Sequence, residues 1–126
     1  MSCRIYLVRH GETIWNAELR FQGHSDTALS PRGLEQARAL ARRLRGENFS
    51  AFYASDLQRA LNTARILAEP HGLPVVPLKA LREINFGAWE GLTVAEIKNR
   101  YPRELQQWWH DPLHTRVPGG KPWRRW

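Results

Sequence analysis

The apolar positions fall into a few short runs, separated by turn residues and changing period as they go. Arg4-Ile5-Tyr6-Leu7-Val8 is short, β-branched and aromatic, without Pro or Gly, and predicts a buried strand. Ile14-Trp15-Asn16 leads into a polar, turn-rich passage through Phe21-Gln22-Gly23-His24-Ser25-Asp26-Thr27. A helix is then punctuated at both ends. Ser30 can cap it, Pro31 suits its first position, and Gly46 is a plausible stop. Leu34, Ala37, Leu40, Ala41 and Leu44 give this helix an apolar stripe, with Arg38, Arg42 and Arg43 off that face. Residues 49–54 predict a second strand. Ser55-Asp56-Leu57-Gln58 reads as a capping box opening a helix whose stripe is Leu57, Ala60, Leu61, Ala64, Leu67 and Ala68. Pro70, Gly72 and Pro74 end it, and Val75-Val76-Pro77-Leu78 follows as an edge-type strand, because Pro77 cannot donate to a ladder.

Strand, helix, strand, helix, strand in that order predicts an α/β fold with parallel pairs. The remaining chain is loop and short helix. Leu81 to Gly91 is a loop with two glycines and two carboxylates. Thr93-Val94-Ala95-Glu96 is a second capping box, and its helix must stop near Tyr101-Pro102. A further helix is expected from about Pro102 to Trp109, with Leu105, Trp108 and Trp109 on its buried side; nothing after Asp111 is periodic.

Composition narrows the class. A chain of 126 residues is one domain at most, and 42% hydrophobic with 25% charged residues is ordinary for a folded protein. No apolar run approaches a membrane span, and the N-terminus lacks a signal peptide's apolar core. The single cysteine, Cys3, excludes an internal disulfide and a cysteine-based zinc site, and reads as a spare thiol in a cytoplasmic protein. The formal charge of +7 invites a nucleic-acid reading, but three of those charges lie in Lys121-Pro122-Trp123-Arg124-Arg125-Trp126. The surplus elsewhere suits an anionic small substrate equally well, so no nucleic-acid or membrane partner is expected.

The chemistry concentrates at Arg9-His10-Gly11-Glu12-Thr13, directly after the first apolar run and thus at the carboxyl end of the expected strand. A neutral imidazole there can attack phosphorus, and a guanidinium can hold phosphate oxygens in a fixed fork. By itself this stretch fits equally well a strand-end histidine bonded to a backbone carbonyl. Arg59, in the first turn of the helix opened by Ser55-Asp56-Leu57-Gln58 and beside the carboxyl end of the second strand, belongs near the same end of the sheet, and Glu83 could give a proton to a leaving alcohol. An in-line nucleophile, positive charge around the equatorial oxygens and an acid are nearly all that phosphoryl transfer to nitrogen needs. No metal-ligand cluster is visible, and no metal or cofactor is expected.

Five stretches in order resemble the histidine phosphatase superfamily, which includes phosphoglycerate mutases and α-ribazole phosphatases. Leu7-Val8-Arg9-His10-Gly11-Glu12-Thr13 is similar to its nucleophile signature, and Asn16 with Phe21-Gln22-Gly23 to its substrate-contacting loop. Residues 29–37 resemble the following helix opening, residues 54–60 the phosphate-arginine motif, and Leu81-Arg82-Glu83 with residues 87–91 the acid loop. The resemblance implies a three-layer α/β/α fold around a mostly parallel central sheet. It further implies that His10 is phosphorylated and then attacked by water or another hydroxyl. Arg9 and Arg59 would clamp the phosphoryl group, Asn16, Gln22 and Gly23 line the pocket, and Glu83 act as acid then base. The substrate implied is a small phosphorylated metabolite, with an α-ribazole phosphatase-like hydrolase preferred to a mutase. Glu90 is expected to bond backbone, His24 to sit on a surface turn, and His71 has no assigned role.

The family carries a second phosphate-pocket histidine after a later strand, and no such motif occurs here: His110 and His114 lie in the wrong context. Residues 1–120 therefore read as the N-terminal part of one such domain, with the C-terminal part missing. Residues 121–126 read as a non-family basic and aromatic tail, as a shifted reading frame would give. A catalytically impaired phosphate-binding fragment is the alternative reading, and self-association through an open sheet edge is a second consequence of the same gap.

Overall fold

The computed structural model describes residues 2–83 and 85–120. The 121–126 tail and Ile84 of the acid loop lie outside the described residues. The chain is α/β, built around one βαβ unit. Strand β1 (Phe52–Ala54) and strand β2 (Val75–Pro77) pair in parallel, with Tyr53 opposite Val76. Helix α3 (Gln58–Ala68) makes the crossover between them, and helix α2 (Pro31–Leu44) packs on α3. Pro77 closes the ladder as an edge residue, and the next amide, Leu78 N–H, donates to the Ala54 carbonyl at 2.7 Å.

Helix α2 forms as its punctuation requires. Ser30 Oγ accepts from Gly33 N–H, Pro31 occupies the first turn, and Ala37 and Ala41 are buried while Arg38, Arg42 and Arg43 face solvent. A second core lies under the later helices, α4 (Val94–Arg100) and α5 (Pro102–His110). Trp89, Ile97, Leu105 and Val117 are fully buried there, with Phe21, Phe86 and Trp108 packed against them. The Thr93–Glu96 capping box is present, and the helices break at Tyr101-Pro102, where a residue preceding proline is kept out of the helical region.

Several elements differ from the pattern-based expectation. Residues 4–8 are not a strand, because no described segment offers them a ladder partner, and Ile5 and Leu7 are left in solvent. The second strand is shortened to residues 52–54. Trp109 is exposed rather than buried, since α5 turns only Leu105 and Trp108 toward the core. The Ser55–Gln58 box does not form. Asp26 instead reaches the start of α3, its Oδ1 accepting from Gln58 N–H at 2.7 Å, while Ser55 Oγ accepts from Leu57 N–H. A carboxylate from a neighbouring loop thus takes the place of the local cap. A one-turn helix, α1 (Ile14–Ala17), carries a Thr13–Asn16 capping box that periodicity did not reveal, because four residues are too few to show a stripe.

Among the described residues no helix is long and apolar enough to cross a membrane.

Candidate active site

Two glycines bring His10 to its place. The chain at Gly11-Glu12 crosses the first turn of α2 so closely that a Cβ on Gly11 would lie 2.5 Å from the Gly33 carbonyl oxygen. Ser30 N–H donates to the Glu12 carbonyl at 2.8 Å, and Gly11 N–H donates to Thr63 Oγ1 at 3.1 Å. Residues 10–12 are therefore held between α2 and α3. His10 then lies half-buried, its Nδ1 2.7 Å from the Gly11 carbonyl, a contact in which the ring nitrogen must donate. That hydrogen bond turns Nε2 outward, 3.3 Å from Glu83 Oε1.

Arg59, in the first turn of α3, is only 1% exposed. Its Nη2 donates to the Gly23 carbonyl and its Nη1 to the Ser25 carbonyl, both at 2.6 Å. Nη2 also lies 3.9 Å from Glu83 Oε2. Burial pulls the guanidinium below its ordinary value, while Glu83, Asp26 and Glu90 oppose that shift. His10 and Arg59 thus converge on the two oxygens of one carboxylate.

Glu83 is held below the usual glutamate range. The hydrogen bond to His10 is the main cause, then the charges of Arg59, His10 and Arg9, all acting against burial. Because its folded pKa is depressed, this carboxylate stabilises the protein above the ordinary value of 4.5 and stops doing so as pH falls through its lowered value. Asp56, in a two-pronged pair with Arg82 at 2.6 and 2.8 Å, is lowered in the same sense. Glu83→Gln is expected to flatten the pH dependence of the melting temperature between about pH 5 and 3, leaving the part of the slope that comes from Asp56 and from Glu96, which is lowered by its bonds to Thr93 and Arg20. A variant curve parallel to the wild type would show that the contact contributes nothing.

The loop from Thr13 to Asp26 is pinned from several sides. The Thr13 and Thr27 hydroxyls both donate to Gln22 Oε1 at 2.5 Å, and Asn16 Oδ1 accepts from Thr13 N–H at 3.0 Å. With their carbonyl ends so committed, the amide nitrogens of Asn16 and Gln22 have no partner among the described residues. Gly23 takes a left-handed conformation, φ 54°, which aims its carbonyl at Arg59. Arg9 is the exception among the sequence-selected residues. It is exposed, makes no hydrogen bond or ion pair among the described residues, and reaches the cluster only as a charge acting on Glu83.

Glu90 bonds backbone as expected, accepting from His24 N–H at 3.0 Å and Phe86 N–H at 3.1 Å, and also from the Ser25 hydroxyl. His24 is not a free turn histidine. Its Nε2 donates to the Glu83 carbonyl at 2.7 Å, which fastens the acid loop to the loop bonded by Arg59. Sequence reasoning missed this role, and that of Thr63, because both act on main-chain groups that leave no signature. His114 pairs with Asp111 at the surface, and neither it nor His110 bonds to His10, Arg59 or Glu83. No metal-binding cluster occurs among the described residues.

Comparison with known proteins bears on the family and the fold. The family model for the histidine phosphatase superfamily, branch 1, matches residues 5–126. Phosphoserine phosphatase 1 of Hydrogenobacter thermophilus is 37% identical over 118 residues, which cover 94% of this chain and 56% of that protein. The probable phosphoglycerate mutase GpmB of Yersinia pestis is also 37% identical, with 94% and 55% covered. Among solved structures, the α-ribazole phosphatase of Shigella flexneri superposes with a TM-score of 0.87 at 32% identity, covering 94% of this chain and 58% of that one. Bacillus stearothermophilus YhfR gives 0.82 at 38% identity, with 90% and 56% covered. The chain spans a little over half the length of the curated relatives it matches. It belongs to the histidine phosphatase superfamily, branch 1.

Proposed function

We propose that the chain carries the phosphoryl-accepting half of a phosphomonoester hydrolase acting through His10 on small phosphorylated metabolites. The observation that carries this reading is the convergence of His10 Nε2 and Arg59 Nη2 on a single oxyanion, the Glu83 carboxylate. A phosphate group entering between them competes for the same two donors. The proton shared by Nε2 and Glu83 then passes to the carboxylate, whose affinity for it rises beside an incoming anion. This leaves a neutral imidazole as nucleophile and a protonated Glu83 as acid.

Nε2 attacks phosphorus, the ester P–O bond breaks, and Glu83 gives its proton to the departing alkoxide. Arg59 holds charge on the equatorial oxygens, and the uncommitted amide donors of Asn16 and Gln22 are placed to do the same; Arg9 closes in from the rim. In the second step Glu83 takes a proton from water, the water oxygen attacks phosphorus, and the P–N bond breaks. A sugar or glycerate hydroxyl in place of water would turn the same site into a mutase. Hydrolysis is favoured by the resemblance of the acid loop to the α-ribazole phosphatase branch, whose solved members are among the structural neighbours.

A second reading is supported by Arg9, which is exposed and makes no hydrogen bond or ion pair among the described residues. In it the chain binds phosphate and accepts it on His10 but releases it slowly, from an incomplete clamp. Steady-state hydrolysis of an aryl phosphate by the purified chain separates the two. Turnover in the wild type, reduced roughly 1000-fold in His10→Ala, is the expected result. Equal rates in both proteins would remove His10 from the chemistry, and a phosphorylated but non-cycling wild type would favour the second reading.

A further inference from the structure

His24 stands between Gly23 and Ser25, the two residues whose carbonyls Arg59 holds. Its own main chain is tied down as well, its N–H donating to Glu90 Oε2 at 3.0 Å. From that fixed turn the half-buried ring reaches the acid loop, where Nε2 lies 2.7 Å from the Glu83 carbonyl oxygen. A carbonyl only accepts, so Nε2 carries the proton. The bonds run in series. His10 and Arg59 meet the Glu83 carboxylate, His24 holds the Glu83 carbonyl, and Arg59 holds the turn that carries His24.

Little else fixes the backbone at Glu83. Its side chain is 49% exposed, so packing does not hold it. Among the described residues Glu83 makes no hydrogen bond from main chain to main chain. The residue before it is anchored: Arg82 N–H donates to the Lys79 carbonyl at 3.1 Å, and its guanidinium pairs with Asp56. Beyond Glu83, the next described amide with a partner is that of Phe86, on Glu90. The peptide leaving Glu83 is therefore held by the His24 ring. A carboxylate on a short stem follows its backbone, and a misplacement of about 1 Å can cost on the order of 100-fold in rate.

We propose that His24 is a positioning residue for Glu83, and that its bond to the Glu83 carbonyl sets the carboxylate where it can protonate an alkyl leaving group. This rests on the reading of Glu83 as the acid in the proposed hydrolysis. An alkoxide departs poorly without a proton, whereas a nitrophenolate departs unaided. His24 thus governs which phosphomonoesters the chain cleaves: alkyl esters need it and activated aryl esters do not. His10 and Arg59 face the carboxylate, with the charge of Arg9 beside them, and Glu90 faces the His24 amide. Among the described residues none of these bonds to the Glu83 carbonyl, so none stands in for the His24 donor.

The test compares glycerol phosphate with p-nitrophenyl phosphate as substrates. His24→Ala should lower kcat on the alkyl ester roughly 100-fold and leave the aryl ester close to wild type. His24→Phe, which keeps a ring without a donor, should behave as alanine does. His24→Gln, which returns an N–H at similar reach, should restore the alkyl rate. A readout free of turnover is the slope of melting temperature from about pH 5 to 3. There His24→Ala should flatten the slope as Glu83→Gln does, because a carboxylate no longer held against His10 and Arg59 loses its depressed pKa. The double variant should be no flatter than Glu83→Gln alone. Equal slowing of both esters by His24→Ala, or a pH curve lowered but parallel to the wild type, would overturn the proposal. Selective loss on the alkyl ester in Glu83→Gln but not in His24→Ala would overturn it while leaving the acid reading in place. Equal slowing of both esters by Glu83→Gln would overturn the acid reading, and this one with it.

Discussion

Gly33→Ala is expected to destabilise the protein by roughly 3 kcal/mol, the upper end of what forced overpacking costs. Helix propensity alone gives the opposite sign, because alanine improves on glycine inside a helix by about 1 kcal/mol. The geometry decides between them. A Cβ on Gly33 would lie 2.0 Å from the Glu12 carbonyl oxygen and 2.9 Å from both the Glu12 carbonyl carbon and amide nitrogen. All three are main-chain atoms, so no side chain can swing aside. Either α2 or the 10–12 segment must move, and the second carries His10. Gly46→Ala is the control: a Cβ there has nothing within 4 Å, and the change should leave the melting temperature the same or slightly higher. A Gly33→Ala protein as stable as the wild type would mean that the crossing is looser than described.

Arg59→Ala is the second large effect, about 3 kcal/mol. The lost guanidinium leaves the Gly23 and Ser25 carbonyls without their donors and opens a void in the first turn of α3. Lysine keeps the charge but has no planar fork to serve two carbonyls at once, so Arg59→Lys should fall between alanine and wild type. Stability and ligand binding are read together. Inorganic phosphate, if it binds the folded wild type, raises its melting temperature by mass action. In both variants that increment should vanish even at temperatures where the chain is still folded. An Arg59→Ala protein stabilised by phosphate as much as the wild type would take Arg59 out of the anion site.

The residues that converge on Glu83 stand out in the sequence because the proposed chemistry has few substitutes. Histidine, arginine and glutamate at His10, Arg59 and Glu83 stand in short motifs, and the elements that carry Arg59 and the loop before Glu83 were marked by proline, glycine and period. What escaped notice was decided by tertiary context. Residues 4–8 have a strand's composition, but a strand is defined by its partner, and none of the described residues supplies one. Ser55 was a sound local cap until Asp26 came from a distant loop with a stronger acceptor. His24 looked like turn surface because its acceptor, the Glu83 carbonyl, belongs to the main chain and carries no sequence signal. Arg9 was grouped with Arg59 by resemblance, yet Arg59 is buried with its two terminal nitrogens on the Gly23 and Ser25 carbonyls, while Arg9 stands in solvent.

The measurement closest to the central claim is detection of the phosphorylated intermediate itself. The protein is mixed with a phosphomonoester, quenched in base and digested, and the peptides are searched for an acid-labile, base-stable phosphoryl group. The account predicts that group on His10, with little in Arg59→Ala. No phosphorylated histidine, or one at His24, His71, His110 or His114 instead, would contradict it.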